Sequence, residues 1–308
     1  IRISQGEYIN KIDPINIAKN RRIQKDDNAT EQEVQDLRAL CGSLQYAAVH
    51  SRPDLAAKVS FLQKSIPQAK VQHLLDGNKV LLEAKETAPT AIQIRPLSLE
   101  DTTFASFGDA SFASASQLRA QQGLFIVACS KALSENKTSD ISPVAWNSKQ
   151  IGRVVRSTLS AEAYAMSSSL DKLTWIRCMW AFIHNPSFKW QYPEKSLQDE
   201  PKALLITDCK SLFDLVSKLA TPNCQEWRTT KQQSDGHTQC RWISTAIMLA
   251  DCLTKPMDAS FLRTVLHLGR FRIFDEDQTL KNNTHKKMAS RWMTKQDEGT
   301  SKKEKTPV

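Results

Sequence analysis

The chain has 308 residues, of which 40% are hydrophobic and 24% charged, and its formal net charge is +9. That length suits about two globular domains, and no apolar run approaches the roughly 18 residues of a membrane span, so we expect no membrane insertion. The nine glycines are too widely spaced for a glycine-rich nucleotide loop or a G-x-S-x-G elbow, which argues against nucleotide-loop enzymes and α/β-hydrolases. The positive charge suits a polyanionic partner, and nucleic acid is the leading candidate.

The seven cysteines are scattered and contain no C-x-x-C pair, which predicts a reduced, intracellular setting. The chain begins Ile-Arg-Ile-Ser, and we expect it to be a segment of a longer polypeptide.

Residues 1–99 form the first predicted unit, mainly helical after an opening strand. Thr30 and Glu33 have the spacing of a capping box, so a helix is expected to begin there. Pro53 favours the start of a second helix, and a third amphipathic stretch covers residues 68–85. The proline-containing stretch 87–99 is the expected boundary.

Residues 100–274 form the second predicted unit, in which strands and helices alternate. Three short β runs suggest an antiparallel meander, and a long helix follows with Ser157 or Thr158 as its cap. Its expected buried stripe runs from Leu159 to Trp180. The other predicted elements are strands at 203–207 and 241–243 and helices from 212, at 245–255 and at 258–268. Residues 275–308 are basic and predicted to be disordered.

Four acidic residues fall at particular places in this order. Asp109 closes the first β run, Glu162 lies in the first turn of the long helix, Asp208 ends a buried strand and Asp251 lies early in a late helix. Carboxylates brought together repel one another unless divalent cations compensate their charge, and oxygen ligands favour Mg²⁺ or Mn²⁺. Two such ions are the cofactors of metal-dependent phosphodiester hydrolysis. Taken singly, each acid also has an ordinary explanation, such as a helix cap or a turn.

The sequence around these acids resembles the ribonuclease H domain of copia-type retrotransposon Pol polyproteins. The similar stretches are GDAS at 108–111, WNSKQ at 146–150, STLSAEAY at 157–164 and ADCLTKP at 250–256. Residues 37–46 and 52–56 resemble the end of the reverse transcriptase that precedes this nuclease, and Tyr8-Ile9 resembles its opening strand. The similarity covers roughly residues 1–274.

The resemblance implies a ribonuclease H-like fold of class α/β, with a mixed five-stranded sheet flanked by helices and a mainly helical reverse-transcriptase connection before it. It implies that Asp109, Glu162, Asp208 and Asp251 hold two metal ions and hydrolyse the RNA strand of RNA:DNA hybrids during reverse transcription. The partners are then the hybrid and the upstream polymerase part of the polyprotein, in the cytoplasm within a virus-like particle or in the nucleus. The polymerase palm motif is missing, so we expect no DNA synthesis.

Several alternatives remain open from the sequence. The chain could be an inactive nucleic-acid-binding or assembly remnant of such an element, or a DNA nuclease or integrase of the same fold. A zinc site could involve Cys224, His237, Cys240 and Cys252, although no pair has the usual spacing. His237 is also the one nearby candidate for a loop histidine that assists the metal site. Trp175, Trp180 and Trp242 are expected in the core.

Overall fold

A computed structural model describes residues 1–112, 119–217 and 237–274. The helices of these ranges are α1 (Gly6–Asn10), α2 (Glu31–His50), α3 (Ala56–Ser65), α4 (Val71–Glu86), α5 (Thr158–His184), α6 (Pro193–Ser196), α7 (Lys210–Ser217) and α8 (Ser260–Leu268). The strands are β1 (Arg2–Ile3), β2 (Ile92–Gln93), β3 (Thr102–Ser111), β4 (Gln121–Ser130), β5 (Ser139–Gln150), β6 (Ala203–Thr207), β7 (Thr238–Trp242) and β8 (Arg270–Phe271). The predicted disordered tail and Cys224 lie outside the described residues.

Helices α2, α3 and α4 enclose one hydrophobic cluster in the first part of the chain, which includes Leu44, Val59 and Leu74. The predicted capping box is confirmed, because the backbone N–H of Glu33 donates to Thr30 Oγ1 at 3.3 Å and that of Thr30 donates to Glu33 Oε2 at 2.8 Å. The N-cap and first turn of a helix have backbone N–H groups without an intrahelical partner, and each of these bonds satisfies one of them.

The placement of Tyr8 and Ile9 in the opening strand is wrong. The backbone N–H of Ile9 bonds the carbonyl oxygen of Gln5 at 2.9 Å, which is a helical turn, and both residues lie in α1. The opening strand, β1, is only Arg2–Ile3 and pairs with β2. Burial of Ile9 against the three-helix cluster, a contact between distant segments, fixes this turn.

The main sheet is mixed and has the strand order β7-β6-β3-β4-β5-β8. Strands β3, β4 and β5 form the predicted antiparallel meander, whereas β6 runs parallel to β3 and β7 parallel to β6. This order, with helices on both faces, is the ribonuclease H-like arrangement expected from the sequence. Within the described residues the sheet has six strands rather than the predicted five. The additional strand is β8, whose two-residue pairing with β5 is too short to show alternation in the sequence.

Alternation along the strands divides the core into two layers. Phe107, Phe125 and Val127 face α8 and the segment around Leu253, whereas the other face of the sheet packs against α5 and α7. Helix α8 ends as predicted at Gly269, which has a left-handed φ of 60°. The sheet around the central strands β3 and β6 thus has helices on both of its faces.

The outer side of α5 differs from the prediction. Leu159 is 36% exposed and not part of the buried stripe, because it stands in the first turn, before the helix reaches the sheet. Trp175 is 54% exposed and stacks on Trp190 from the following loop, so it is not a core residue. Trp180 is partly buried against Phe104. None of the helices within the described ranges has both the length and the apolar character to cross a bilayer.

The helical part is joined to the sheet by buried polar contacts. Trp146 Nε1 on β5 donates to the carbonyl oxygen of Ala48 at 2.7 Å. Arg52 and Asp54 form a fully buried ion pair at 2.7 Å, and Arg263 of α8 approaches Asp54 to 3.6 Å. These contacts fix α3 beside the edge of the sheet that carries the acidic residues.

Candidate metal centre

Asp109 and Asp208 meet because their strands are parallel neighbours. Asp109 is near the carboxyl end of β3, and Asp208 directly follows β6, as predicted. Phe107 pairs with Ile206, so both strands end at the same edge of the sheet. The turn after β6 is held by Trp242, whose Nε1 donates to the carbonyl oxygen of Asp208 at 3.0 Å.

Glu162 reaches the same edge from α5. The predicted cap, Ser157, starts this helix, and its Oγ accepts the backbone N–H of Ser160 at 3.1 Å. Helix α5 packs closely on β3 because Gly108 has no side chain: a Cβ there would lie 2.6 Å from Ser169 Oγ. Glu162 is consequently 7% exposed, although it is ionisable and near the start of a helix.

Three of the four predicted acids converge. Carboxylate oxygens of Asp109, Glu162 and Asp208 all lie within 4.8 Å of one another. This is the one group of three or more metal-capable side chains found in the described parts of the chain. We call these three residues the acidic triad. Its members come from a strand, a helix and a loop separated by about fifty residues each.

Asp251 borders the acidic triad but is not within the same 4.8 Å group. Its predicted helix, 245–255, is wrong: the structure has two single 3₁₀ turns there, Thr245–Ile247 and Asp251–Leu253. Buried Ile247, Leu249 and Leu253 cover the face of the sheet, and this packing holds the segment in irregular turns. The charge of Asp251 still raises the pKa of Asp109 and of Asp208, so its carboxylate faces the same space.

Thr254 and Lys255 complete the site, although sequence reasoning assigned neither of them a role. Thr254 Oγ1 lies 2.7 Å from Asp109 Oδ2 and 2.9 Å from the backbone carbonyl oxygen of Asp251, so this hydroxyl lies between the Asp109 carboxylate and the backbone of the Asp251 turn. Lys255 Nζ pairs with Asp251 Oδ1 at 2.5 Å. Their positions three and four residues after Asp251 were the available signal, since such spacings return a side chain to the same side of a helical turn.

A glycine lets the Asp251 segment come this close. Gly123 pairs with Asp109 across β3 and β4, and a Cβ at Gly123 would lie 2.7 Å from Leu253 Cβ and 3.0 Å from the carbonyl oxygen of Ala250. Both distances are below ordinary van der Waals contact. The missing side chain therefore determines how near Asp251 lies to Asp109.

Burial is the main perturbation of the acidic triad. Removal from water, followed by the charge of Asp208, raises the pKa of Asp109 to about 7. Burial and then the charges of Asp109 and Asp208 raise the pKa of Glu162 to about 9. Burial also raises the pKa of Asp208, against a hydrogen bond from Thr245 that lowers it. The triad thus favours bound positive charge, either protons or cations.

The donor set fits divalent cations. Glu162 Oε2 is buried and has no hydrogen-bond partner within the described chain, although it is the type of atom that normally requires one. An oxygen-only set of carboxylates suits hard ions such as Mg²⁺ and Mn²⁺. The triad could hold such ions, with Asp251 at its border.

The zinc and loop-histidine hypotheses are not supported in the described parts of the chain. His237 directly precedes β7 and lies at the opposite end of that strand from Trp242, about 17 Å from the acidic edge at 3.3 Å per residue. Cys252 donates to the carbonyl oxygen of Leu249, and burial raises the pKa of its thiol, which disfavours the thiolate that zinc binds. Neither residue joins a group of metal-capable side chains.

Comparison with known proteins adds little about function. No protein-family model matches the chain. Among solved structures, a similar chain is the foamy viral protease-reverse transcriptase in complex with RNA/DNA hybrid, at 12% sequence identity and a TM-score of 0.40. The match covers 79% of this chain and 29% of that chain, so this chain spans less than a third of that protein's length. We draw no functional conclusion from a likeness at this level.

Proposed function

We propose that this chain is the ribonuclease H of a copia-type retroelement Pol polyprotein. It would hydrolyse the RNA strand of RNA:DNA hybrids with two divalent cations, Mg²⁺ or Mn²⁺. The observation that carries the proposal is the convergence of Asp109, Glu162 and Asp208 within 4.8 Å at one edge of a ribonuclease H-like sheet. The assignment to this type of element is supported by the four stretches that resemble the copia-type ribonuclease H domain, at 108–111, 146–150, 157–164 and 250–256.

The residues of the chain have separate roles in this proposal. Asp109, Glu162 and Asp208 would hold the cations, and Asp251 would complete the site from its border. When bound, such a pair of cations stabilises the attacking and leaving oxygens of an in-line phosphodiester displacement. Thr254 keeps the Asp109 carboxylate oriented through its 2.7 Å contact.

The raised pKa values bear on the same proposal. In the absence of cations, burial and mutual repulsion raise the pKa of Asp109 to about 7 and that of Glu162 to about 9, so near neutral pH the Glu162 carboxyl retains its proton and the Asp109 carboxyl is partly protonated. Cation binding would release those protons, so affinity for Mg²⁺ should rise with pH.

The wider context is also part of the proposal. Residues 1–99 would be the end of the reverse transcriptase, residues 100–274 the nuclease and residues 275–308 a basic tail. The polymerase part upstream and the hybrid would be the partners, in a cytoplasmic virus-like particle or in the nucleus. The RNA strand would be recognised through groove shape and 2′-hydroxyl groups.

A cleavage assay on the full chain tests the proposal. The substrate is a hybrid with an end-labelled RNA strand, and the controls are the same RNA alone and a DNA duplex of the same sequence. We expect Mg²⁺-dependent cleavage of the RNA only in the hybrid. Asp208→Asn should abolish cleavage, whereas Asp214→Asn, the same change at a half-exposed acid of α7 that pairs with Lys210, should leave it intact.

The alternatives give different results in the same assay. An intact hybrid at saturating enzyme and Mg²⁺ or Mn²⁺ would support the inactive remnant. Cleavage of the DNA duplex alone would support a DNA nuclease. Cleavage that persists in Asp208→Asn would show that the acidic triad is not the site.

A further inference from the structure

A groove of about 620 Å³ lies where the helical part meets the sheet, and the proposed function does not use it. Five cationic side chains line it, from α3, α4, the segment before β4 and the segment after the Asp251–Leu253 turn; they are Lys58, Lys64, Lys79, Arg119 and Lys255. Asp76 is the one carboxylate among its described lining residues. We call this cavity the basic groove.

Three of these cations already have acidic partners. Lys58 pairs with Glu83 at 2.5 Å, Lys79 with Asp76 at 3.1 Å and Lys255 with Asp251 at 2.5 Å. These pairs hold the side chains in place and neutralise part of the charge. The remaining two cations, Lys64 and Arg119, are not in such pairs within the described residues, and in this the basic groove differs from an ordinary charged surface.

Lys64 is half-buried and has no carboxylate partner among the residues that the structure describes. Its Nζ donates to Gln121 Oε1 at 2.5 Å and lies 4.5 Å from the centre of the Phe61 ring. Burial lowers the pKa of Lys64, because a partly dehydrated ammonium without a counter-charge is unfavourable. A bound anion would supply the missing charge.

Gln121 holds this ammonium in a fixed position. Its Nε2 donates to Ser60 Oγ at 3.0 Å and to Ser148 Oγ at 2.7 Å, so its Oε1 is directed at Lys64. The cation is thus positioned before any ligand arrives. Arg119, two residues earlier, is exposed and has no ion pair or hydrogen bond through its side chain within the described residues.

The basic groove lies beside the acidic site, next to the segment that carries Asp251. Ser111 lines it and follows Asp109 by two residues on β3, and the Ser111 hydroxyl donates to the carbonyl oxygen of Thr254 at 2.8 Å. Lys255 lines the groove while its ammonium binds Asp251 at the triad. An elongated anion in the groove would therefore reach Lys255, which contacts Asp251 at the border of the triad. Exposed Phe112 adds an apolar surface at the same place.

We propose that the basic groove binds the phosphate backbone of the nucleic-acid strand that the acidic triad cuts, with Lys64 and Arg119 binding its phosphates. This inference rests on the proposed function, because it takes the substrate to be a nucleic acid. A regular series of phosphates matches a row of cations, of which two lack acidic partners in the described parts of the chain. Lys64 and Arg119 are positioning residues, since they do not touch the reacting phosphate.

Binding and cleavage are measured separately to test this. Fluorescence anisotropy gives the Kd of the full chain for a labelled RNA:DNA hybrid in EDTA, over a series of salt concentrations. Lys64→Gln and Arg119→Gln should each weaken binding several-fold, and the double variant about tenfold. The slope of log K against log salt should fall by about one for each phosphate that the variant no longer binds.

The matched control is Lys195→Gln, which removes an exposed charge from α6. Leu197, directly after this helix, packs against Cys178, about 24 Å along α5 from Glu162, so the change at Lys195 should leave Kd and slope unaltered. In the cleavage assay, the double variant should raise KM with little change in kcat.

Two results would overturn the inference. One is a double variant whose Kd and salt slope equal those of the parent; the other is a parent chain that does not bind the hybrid. In either case, cleavage that Asp208→Asn abolishes would leave the proposed function standing. If the parent does not cleave the hybrid but the double variant still binds it more weakly than the parent does, the nuclease activity is rejected and the binding role of the groove is not.

Discussion

Raising the pH should destabilise the metal-free protein through the acidic triad. The folded-state pKa of Asp109 is raised from 3.8 to about 7, and that of Glu162 from 4.5 to about 9, in both cases mainly by burial. A carboxyl whose pKa is raised on folding stabilises the folded state at low pH, where it is protonated in both states. That contribution is lost as the pH rises through the folded-state pKa.

The magnitude follows from Asp109 alone. A pKa of about 7 against 3.8 corresponds to about 4 kcal/mol between low pH and pH above 7. Lys255 already offsets part of the negative charge, and Glu162 extends the loss toward pH 9. We therefore expect the free energy of unfolding in EDTA to fall by a few kcal/mol between pH 5 and pH 9.

Urea unfolding at pH 5, 7 and 9, in EDTA and in MgCl₂, measures this effect. MgCl₂ should reduce the fall, because the cation binds the ionised form of the folded protein. Asp109→Asn should make the fall in EDTA shallower, whereas Asp214→Asn, at a half-exposed acid, should reproduce the parent curve. The electrostatic account would be refuted if the free energy of unfolding of the parent in EDTA, relative to that of Asp109→Asn, stayed constant or rose from pH 5 to pH 9.

Two further substitutions test the contacts that position the site. Gly123→Ala should push the turn that carries Asp251 away from the sheet. We expect the free energy of unfolding in urea to fall by about 1–3 kcal/mol and most of the cleavage rate to be lost. Full activity of this variant would show that the position of the turn is unimportant. Arg52→Met should leave the buried Asp54 carboxylate, among the described residues, with the 3.6 Å approach of Arg263 as its remaining ion pair, costing about 3–5 kcal/mol in the same measurement. A change below about 1 kcal/mol would contradict this role.

Local signals in the sequence predicted several elements correctly. The capping box at Thr30, the cap at Ser157 and the left-handed end at Gly269 are all confirmed. The buried strand before Asp208 has the predicted bounds, residues 203–207. Each of these depends on neighbouring residues, which is the information that a single sequence contains.

Features set by distant contacts were not predictable in this way. The segment around Asp251 has apolar residues at helical spacing, but its packing on the sheet holds it in two 3₁₀ turns. Trp175 was expected in the core and instead stacks on Trp190, a loop residue. The basic groove joins Lys64 and Arg119, which lie on segments about fifty residues apart, and no spacing rule relates them.

The candidate site was only partly predictable for the same reason. The sequence placed Asp109 and Asp208 at the ends of their strands, whereas the parallel pairing of β3 with β6 that brings them together is seen only in the structure. The close approach of α5 that brings in Glu162 depends on Gly108, and its fit against Ser169 is visible only in three dimensions. Asp251 was placed with the others, whereas the structure puts it at the border, paired with Lys255.

Titration of the full chain with Mn²⁺ by isothermal calorimetry at pH 8 tests the central claim most directly. The account predicts two bound ions per chain, loss of binding in Glu162→Gln and unchanged binding in Asp214→Asn. The absence of saturable Mn²⁺ binding, or equal binding by the parent and Glu162→Gln, would contradict a metal centre formed by Asp109, Glu162 and Asp208.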